Sequence, residues 1–140
     1  MSGLKTLGNI QGRANTRVLT ADETLTIEQS GTIFFLDTPG EALIIPAAST
    51  AKGVWYKFIV NVDAVATSDW TITSAGTSDI HCVAMGGGGA EAAAGTAGTS
   101  VDVVTLTTSA KGGDWIYIVS DGTKWFATGQ SIATAGLTEG

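Results

Sequence analysis

Few side chains in this sequence are suited to catalysis or metal binding, and their spacing argues against both. His81 and Cys82 could act as a nucleophilic pair, the imidazole taking the thiol proton. Neighbours on a strand point to opposite faces, however, so such a pair could not hydrogen-bond. The plainer reading is a small packed thiol beside a histidine at the rim. Asp79, His81 and a serine could in principle form a hydrolase triad, but no G-x-S-x-G elbow is present. The tetraglycine Gly86 to Gly89 invites a phosphate-loop reading, which requires a lysine directly after the loop. The nearest lysines are Lys52 and Lys111. One cysteine and one histidine can supply neither an intramolecular disulfide nor a four-ligand zinc site. The acids, among them Asp37, Asp63, Asp69, Asp79, Asp114 and Asp121, are scattered singly at turns, where carboxylates cap main-chain N–H groups. They show neither the spacing of a calcium loop nor a sign of the paired carboxylates of a glycosidase. The sequence therefore predicts no enzyme, no cofactor, no metal and no small-molecule substrate.

Composition points to a surface-acting protein. The chain has 140 residues, enough for one domain, with 44% apolar and only 14% charged residues. A typical soluble domain is about a quarter charged. So little charge covers a monomer's surface poorly and predicts an oligomer or a larger assembly. The net charge of −6 argues against nucleic-acid binding, which needs clustered cations. No apolar run approaches the roughly 18 residues that would cross a bilayer, and the N-terminus lacks the apolar core of a secretion signal. Synthesis and assembly in a cytoplasm are expected. Residues 1–21 carry three cations, Lys5, Arg13 and Arg17, and no acid; the remainder carries four cations against thirteen acids. Such a charge step marks an arm joined to a body.

The elements that position everything else are strands. Residues 1–21 show no useful periodicity and read as an extended N-terminal arm, followed by a body over 22–140. TLTIEQ places Leu25 and Ile27 on one face; TIFFL and LIIPA flank an Asp-Thr-Pro-Gly turn, and Pro46 ends the second run. WYKFIVNV alternates cleanly, with Tyr56, Phe58, Val60 and Val62 on one side. Further strands are expected at Trp70-Thr-Ile-Thr, DIHCVAM and VDVVTLTT. Residues 86–98, all Gly, Ala, Thr or Glu, read as a flexible loop. Asp121-Gly122 between WIYIVS and TKWFAT predicts a type I′ hairpin. In its first strand Trp115, Tyr117 and Val119 share one face, Ile116 and Ile118 the other. The fold class is thus all-β, a single β-sandwich, jelly-roll-like or barrel domain of about eight or nine strands. The tryptophans at 55, 70, 115 and 125 belong to core or subunit contacts by default.

The order of segments carries a resemblance. The stretch RVLTADETLTIEQSGTIFFLDTPGEALIIPAASTAKGVWYKFIV and the ending KGGDWIYIVSDGTKWFATGQS are similar to patterns in bacteriophage virion proteins, and at this length resemble small capsid decoration, or cement, proteins. The resemblance implies a β-rich body that binds the major capsid protein on the outside of an icosahedral head as a homotrimer and stabilises the shell. On that reading the arm supplies the capsid contacts: Lys5, Arg13 and Arg17 as polar anchors, with Leu4, Leu7 and Ile10 as apolar ones. Tail-fibre and spike proteins share the S-D-G-T-x-W ending, which leaves host-surface or carbohydrate binding as the alternative. The brevity of the chain favours decoration.

Overall fold

Alternating strands with one apolar face need a second layer to bury it, and a computed structural model of the chain shows how it is supplied. The structure describes residues 13–61, 67–87, 90–91, 100–133 and 135–139. In chain order the strands are β1 (Asn15–Leu19), β2 (Glu23–Thr24), β3 (Thr32–Leu36), β4 (Ala42–Ile45), β5 (Trp55–Val60), β6 (Trp70–Ser74), β7 (Ile80–Gly87), β8 (Ala90–Glu91), β9 (Ser100–Val101), β10 (Val103–Leu106), β11 (Trp115–Ser120), β12 (Trp125–Ser131) and β13 (Leu137–Glu139). They form two mixed sheets. The larger runs β1-β3-β5-β11-β12-β7-β8, with β9 also on β7; the smaller runs β13-β10-β6-β4-β2. The protein is all-β.

The first half of the chain winds. Successive strands alternate between sheets, so β1, β3 and β5 lie parallel in the large sheet while β2, β4 and β6 lie parallel in the small one. Each parallel neighbour is reached by crossing through the opposite sheet, which meets the need of parallel strands for a long connection without a helix. The Pro39-Gly40 turn consequently links β3 to β4 across the sandwich. Gly40 has φ +92, and a Cβ there would come within 2.9 Å of the Ser68 side chain. The second half closes the layers mainly with antiparallel pairs, β10 on β6 and β11 between β5 and β12, while β12 and β7 run parallel.

Both inner faces meet in one core. Tyr56, Phe58 and Val60 of β5 are buried, as their alternation predicts, together with Phe34, Leu36, Ile116 and Ile118 from the large sheet and Leu43, Ile45, Ile72 and Leu106 from the small one. Phe34 stacks on Phe58 at 5.6 Å and Tyr56 on Trp125 at 5.7 Å between ring centres. Trp70 and Trp125 are fully buried, and their indole N–H groups donate to the carbonyls of Thr38 and Pro46, each at 2.8 Å. Burial pushes the Tyr56 phenol up to about 12, with Glu28 adding to the effect, and its hydroxyl donates to Thr26 O at 2.6 Å.

Four local readings change. Residues 15–19, part of the expected arm, form edge strand β1 with Leu19 buried, so the body begins before residue 22. Leu25 and Ile27 do not share a strand face: a 3-10 turn spans Ile27–Gln29, and the Gln29 side chain accepts from Thr26 N at 2.7 Å, leaving Leu25 buried and Ile27 exposed. The hairpin is not type I′. Of its residues only Gly122 has positive φ, +93, so Gly122-Thr123 are the central pair, while the Asp121 carboxylate accepts from the N–H groups of Thr123 and Lys124 at 2.8 and 2.9 Å. Those two bonds hold the fully exposed Asp121 carboxyl below its usual range. Within the expected 86–98 loop, Gly86 and Gly87 continue β7 and pair with β8, because glycine backbone can complete a ladder without side chains; residues 88–89 and 92–98 lie outside the described residues.

Candidate interaction surface

Strand alternation gives each sheet a second face, and on the large sheet that face is unusually apolar. The registers align its outward side chains in three rows. One row runs Val18, Phe35, Ile59, Trp115; a second runs Ile33, Lys57, Tyr117, Thr128; a third runs Trp55, Val119, Phe126, His81. All are half-buried except Val18, which is 53% exposed. Trp55 and Tyr117 lie 5.8 Å apart and tilted, His81 and Phe126 5.9 Å apart, and the Lys57 ammonium sits 4.8 Å from the centre of the Trp115 ring. Lys57 is the one formal charge in these rows, and its cation–π contact with Trp115 compensates part of the cost of its apolar setting.

The four tryptophans therefore divide evenly. Trp70 and Trp125 are core, and Trp55 and Trp115 face outward. For Trp55, Trp115 and Trp125 the alternation could not separate the two classes, because their strands carry apolar residues on both faces; Trp70 alone alternates with threonines, in Trp-Thr-Ile-Thr. His81 and Cys82 point to opposite sides of β7: His81 lies against Phe126 on the outer face, while Cys82 packs partly buried against the core.

The expected anchor residues fall in two places. Leu4, Lys5, Leu7 and Ile10 lie outside the described residues. Arg13 is exposed just before β1. Arg17 reaches across to β2 and pairs with Glu23 at 2.7 Å. A cavity of about 180 Å³ is lined by residues 17–23 at this corner. The second carboxylate oxygen of Glu23 is buried there without a hydrogen-bond partner.

The acids at turns mostly cap backbone. Asp69 accepts from Thr108 N, Asp79 from Ala48 N and Asp121 from its own loop. Buried Asp114 accepts from the N–H groups of Lys111 and Ile132 and from the Ser131 hydroxyl. Asp37 accepts instead from the Asn61 side chain, and Asp63 lies outside the described residues. Glu41 is the exception. It is 2% exposed, and neither carboxylate oxygen is hydrogen-bonded. Burial raises its pKa to about 7, assisted by Asp37 and Asp22; Thr38 and Trp70 lie near enough to offset part of the rise, although the Trp70 indole is committed to the Thr38 carbonyl. No sequence signal marks this glutamate, since it follows a turn glycine as many solvated ones do.

Among the described residues no group of three or more His, Cys, Asp or Glu side chains is placed to hold a metal ion, and no helix is long and apolar enough to cross a membrane. In comparisons with known proteins, no family model and no curated protein matches the chain.

Proposed function

We propose that this chain is a structural protein of a virion that binds the outer surface of an icosahedral phage head as an oligomer, three copies on the resemblance described above, and stabilises the shell. The observation that supports this reading is the broad outer face of the large sheet, a three-row apolar surface with aromatic rings from four strands, β3, β5, β11 and β12, and a single charge. Contiguous apolar faces of this kind on a water-exposed layer mark protein–protein contact, and Tyr, Trp and Phe are the residues enriched in such contacts. Binding to assembled shell in preference to free shell subunits stabilises the lattice by mass action. Several weak contacts per oligomer add through effective concentration. In this scheme the large-sheet face joins copies of the chain, and residues 1–12 reach the major capsid protein.

The test is to mix the purified protein with undecorated heads. Saturable binding and a higher temperature of head rupture are expected, and a chain lacking residues 1–12 should keep its oligomeric mass yet fail to decorate. Absence of the protein from purified heads, or no change in their rupture temperature, overturns the proposal. The partly exposed Trp55 and Tyr117 rings favour a second reading, a fibre module that stacks sugar rings. Binding of the isolated chain to host-surface saccharides would select it.

A further inference from the structure

We infer that two copies of this chain pair edge to edge through β1, antiparallel about a two-fold axis at Val18, with Arg13 of each copy directed at the other's 17–23 corner. Among the described residues β1 ends the large sheet and nothing pairs with its outer side. Its orientation is fixed by one bond: Leu19 O accepts from Asp37 N at 3.1 Å, on the β3 side. Main-chain groups alternate along a strand, so Arg17 and Asn15 also face β3, and Thr16 and Val18 turn their N–H and C=O groups to the open edge. A second polypeptide backbone is the chemistry that matches such a row of alternating donors and acceptors.

The side chains select the register and the occupant. Strand β1 has no proline, and its pairing with β3 is unbroken from Asn15 to Leu19, so it lacks two of the usual devices that block edge pairing. A third device, an inward-pointing charge, is present as Arg17 but is neutralised by Glu23. A self-pair centred on Arg17 would set two guanidinium groups opposite each other, which is unfavourable. Centring on Val18 avoids this. Val18, the most exposed residue of the outer apolar rows, then packs on its own copy, and Arg17 lies opposite the other copy's Leu19. The antiparallel direction carries Arg13 beyond the paired residues toward the other copy's 17–23 turn. Asp22 and Glu23 are among the residues that line the cavity there. Glu23 is already paired with Arg17 and one Asp22 oxygen accepts from Ala42 N, so the corner keeps one net negative charge, which Arg13 of the other copy opposes. The pairing would also join two large sheets into one continuous layer. It does not rest on the virion reading.

The experiment uses the full chain carrying Val18→Cys in a Cys82→Ala background. A hydrogen-bonded antiparallel pair sets Cα atoms about 5.5 Å apart, inside the window of about 4.4–6.8 Å for a disulfide. Mild oxidation should give a covalent dimer, whereas Ile132→Cys in the same background, at a 75% exposed position, should not. Thr16→Pro removes one outward N–H and should weaken association at least tenfold by sedimentation, and Arg13→Glu should weaken it at low salt, both with an unchanged near-ultraviolet circular dichroism spectrum. Equal cross-linking at positions 18 and 132, or undiminished association of a folded Thr16→Pro chain, would overturn the inference.

Discussion

The two outer faces of this sandwich are built on the same alternation yet are chemically opposite. On the small sheet the outward positions are mostly threonines, Thr24, Thr71, Thr73, Thr105 and Thr138, with Ile44 the exposed large apolar residue. On the large sheet the equivalent positions hold Phe35, Trp55, Ile59, Trp115 and Tyr117. Threonine suits a pleated strand through its branched Cβ and offers water a hydroxyl, so the small sheet can stay wet. The large sheet pays for its aromatic rings in exposed apolar area unless something covers them. Strand propensity is the same on both; what differs is the solvent each face is made for.

The comparison can be broken from the inside first. Trp70→Ala, in the core, should cost about 3–5 kcal/mol of stability, whereas Trp115→Ala, on the outer face, should cost well under half as much in urea denaturation of the dilute protein. Similar losses would mean that the two tryptophans are not in different environments.

Glu41 supplies the next largest effect. Its folded pKa of about 7 lies above the ordinary 4.5, so folding takes up a proton. Stability is therefore full below about pH 4.5, falls as the pH rises to about 7, and is level above that as far as this group is concerned. A shift of this size corresponds to a loss of about 3 kcal/mol. Glu41→Gln should flatten that part of the pH–stability curve and raise the melting temperature at pH 8. An unchanged profile would show that the carboxyl is solvated.

Association should then separate the two faces. Tyr117→Glu, in the middle row of the large sheet, should weaken self-association by roughly thirty-fold, the scale of a hot-spot residue worth about 2 kcal/mol. Thr71→Lys, on the small sheet, should leave the mass measured by light scattering unchanged. The reverse ranking would move the contact surface to the other layer. The smallest effect is spectroscopic: acrylamide should quench Trp55 and Trp115 more than Trp70 and Trp125, and the difference should shrink as protein concentration drives association.

Much of the layer structure is legible residue by residue. The alternation in WYKFIV assigns Tyr56, Phe58 and Val60 inward, and Pro46 closes β4 where a donor would be needed. The alternation in WIYIVS separates its faces without saying which is the core side, since both are apolar; packing chose Ile116 and Ile118. The Asp-Thr-Pro-Gly turn is visible as a turn, but whether it folds a hairpin or crosses to another sheet depends on contacts with β6 that have no local signature. The start of the body was obscured for a related reason. Strand β1 has four exposed residues out of five, and an edge strand covered on one side carries too few apolar residues to show a period. The aromatic surface was equally hidden, because a row across a sheet draws on residues far apart in the chain.

The amino-acid sequence by itself determined that this chain is all-β, low in charge, and marked by a cationic beginning, because composition and period-two alternation are local properties that need no partner. Tertiary structure alone decided the parallel winding between two sheets, the gathering of half the tryptophans into one outer face, and the burial of a single glutamate without a partner. Each of these depends on which distant strands become neighbours, and strand pairing is fixed by the closing of the core as a whole.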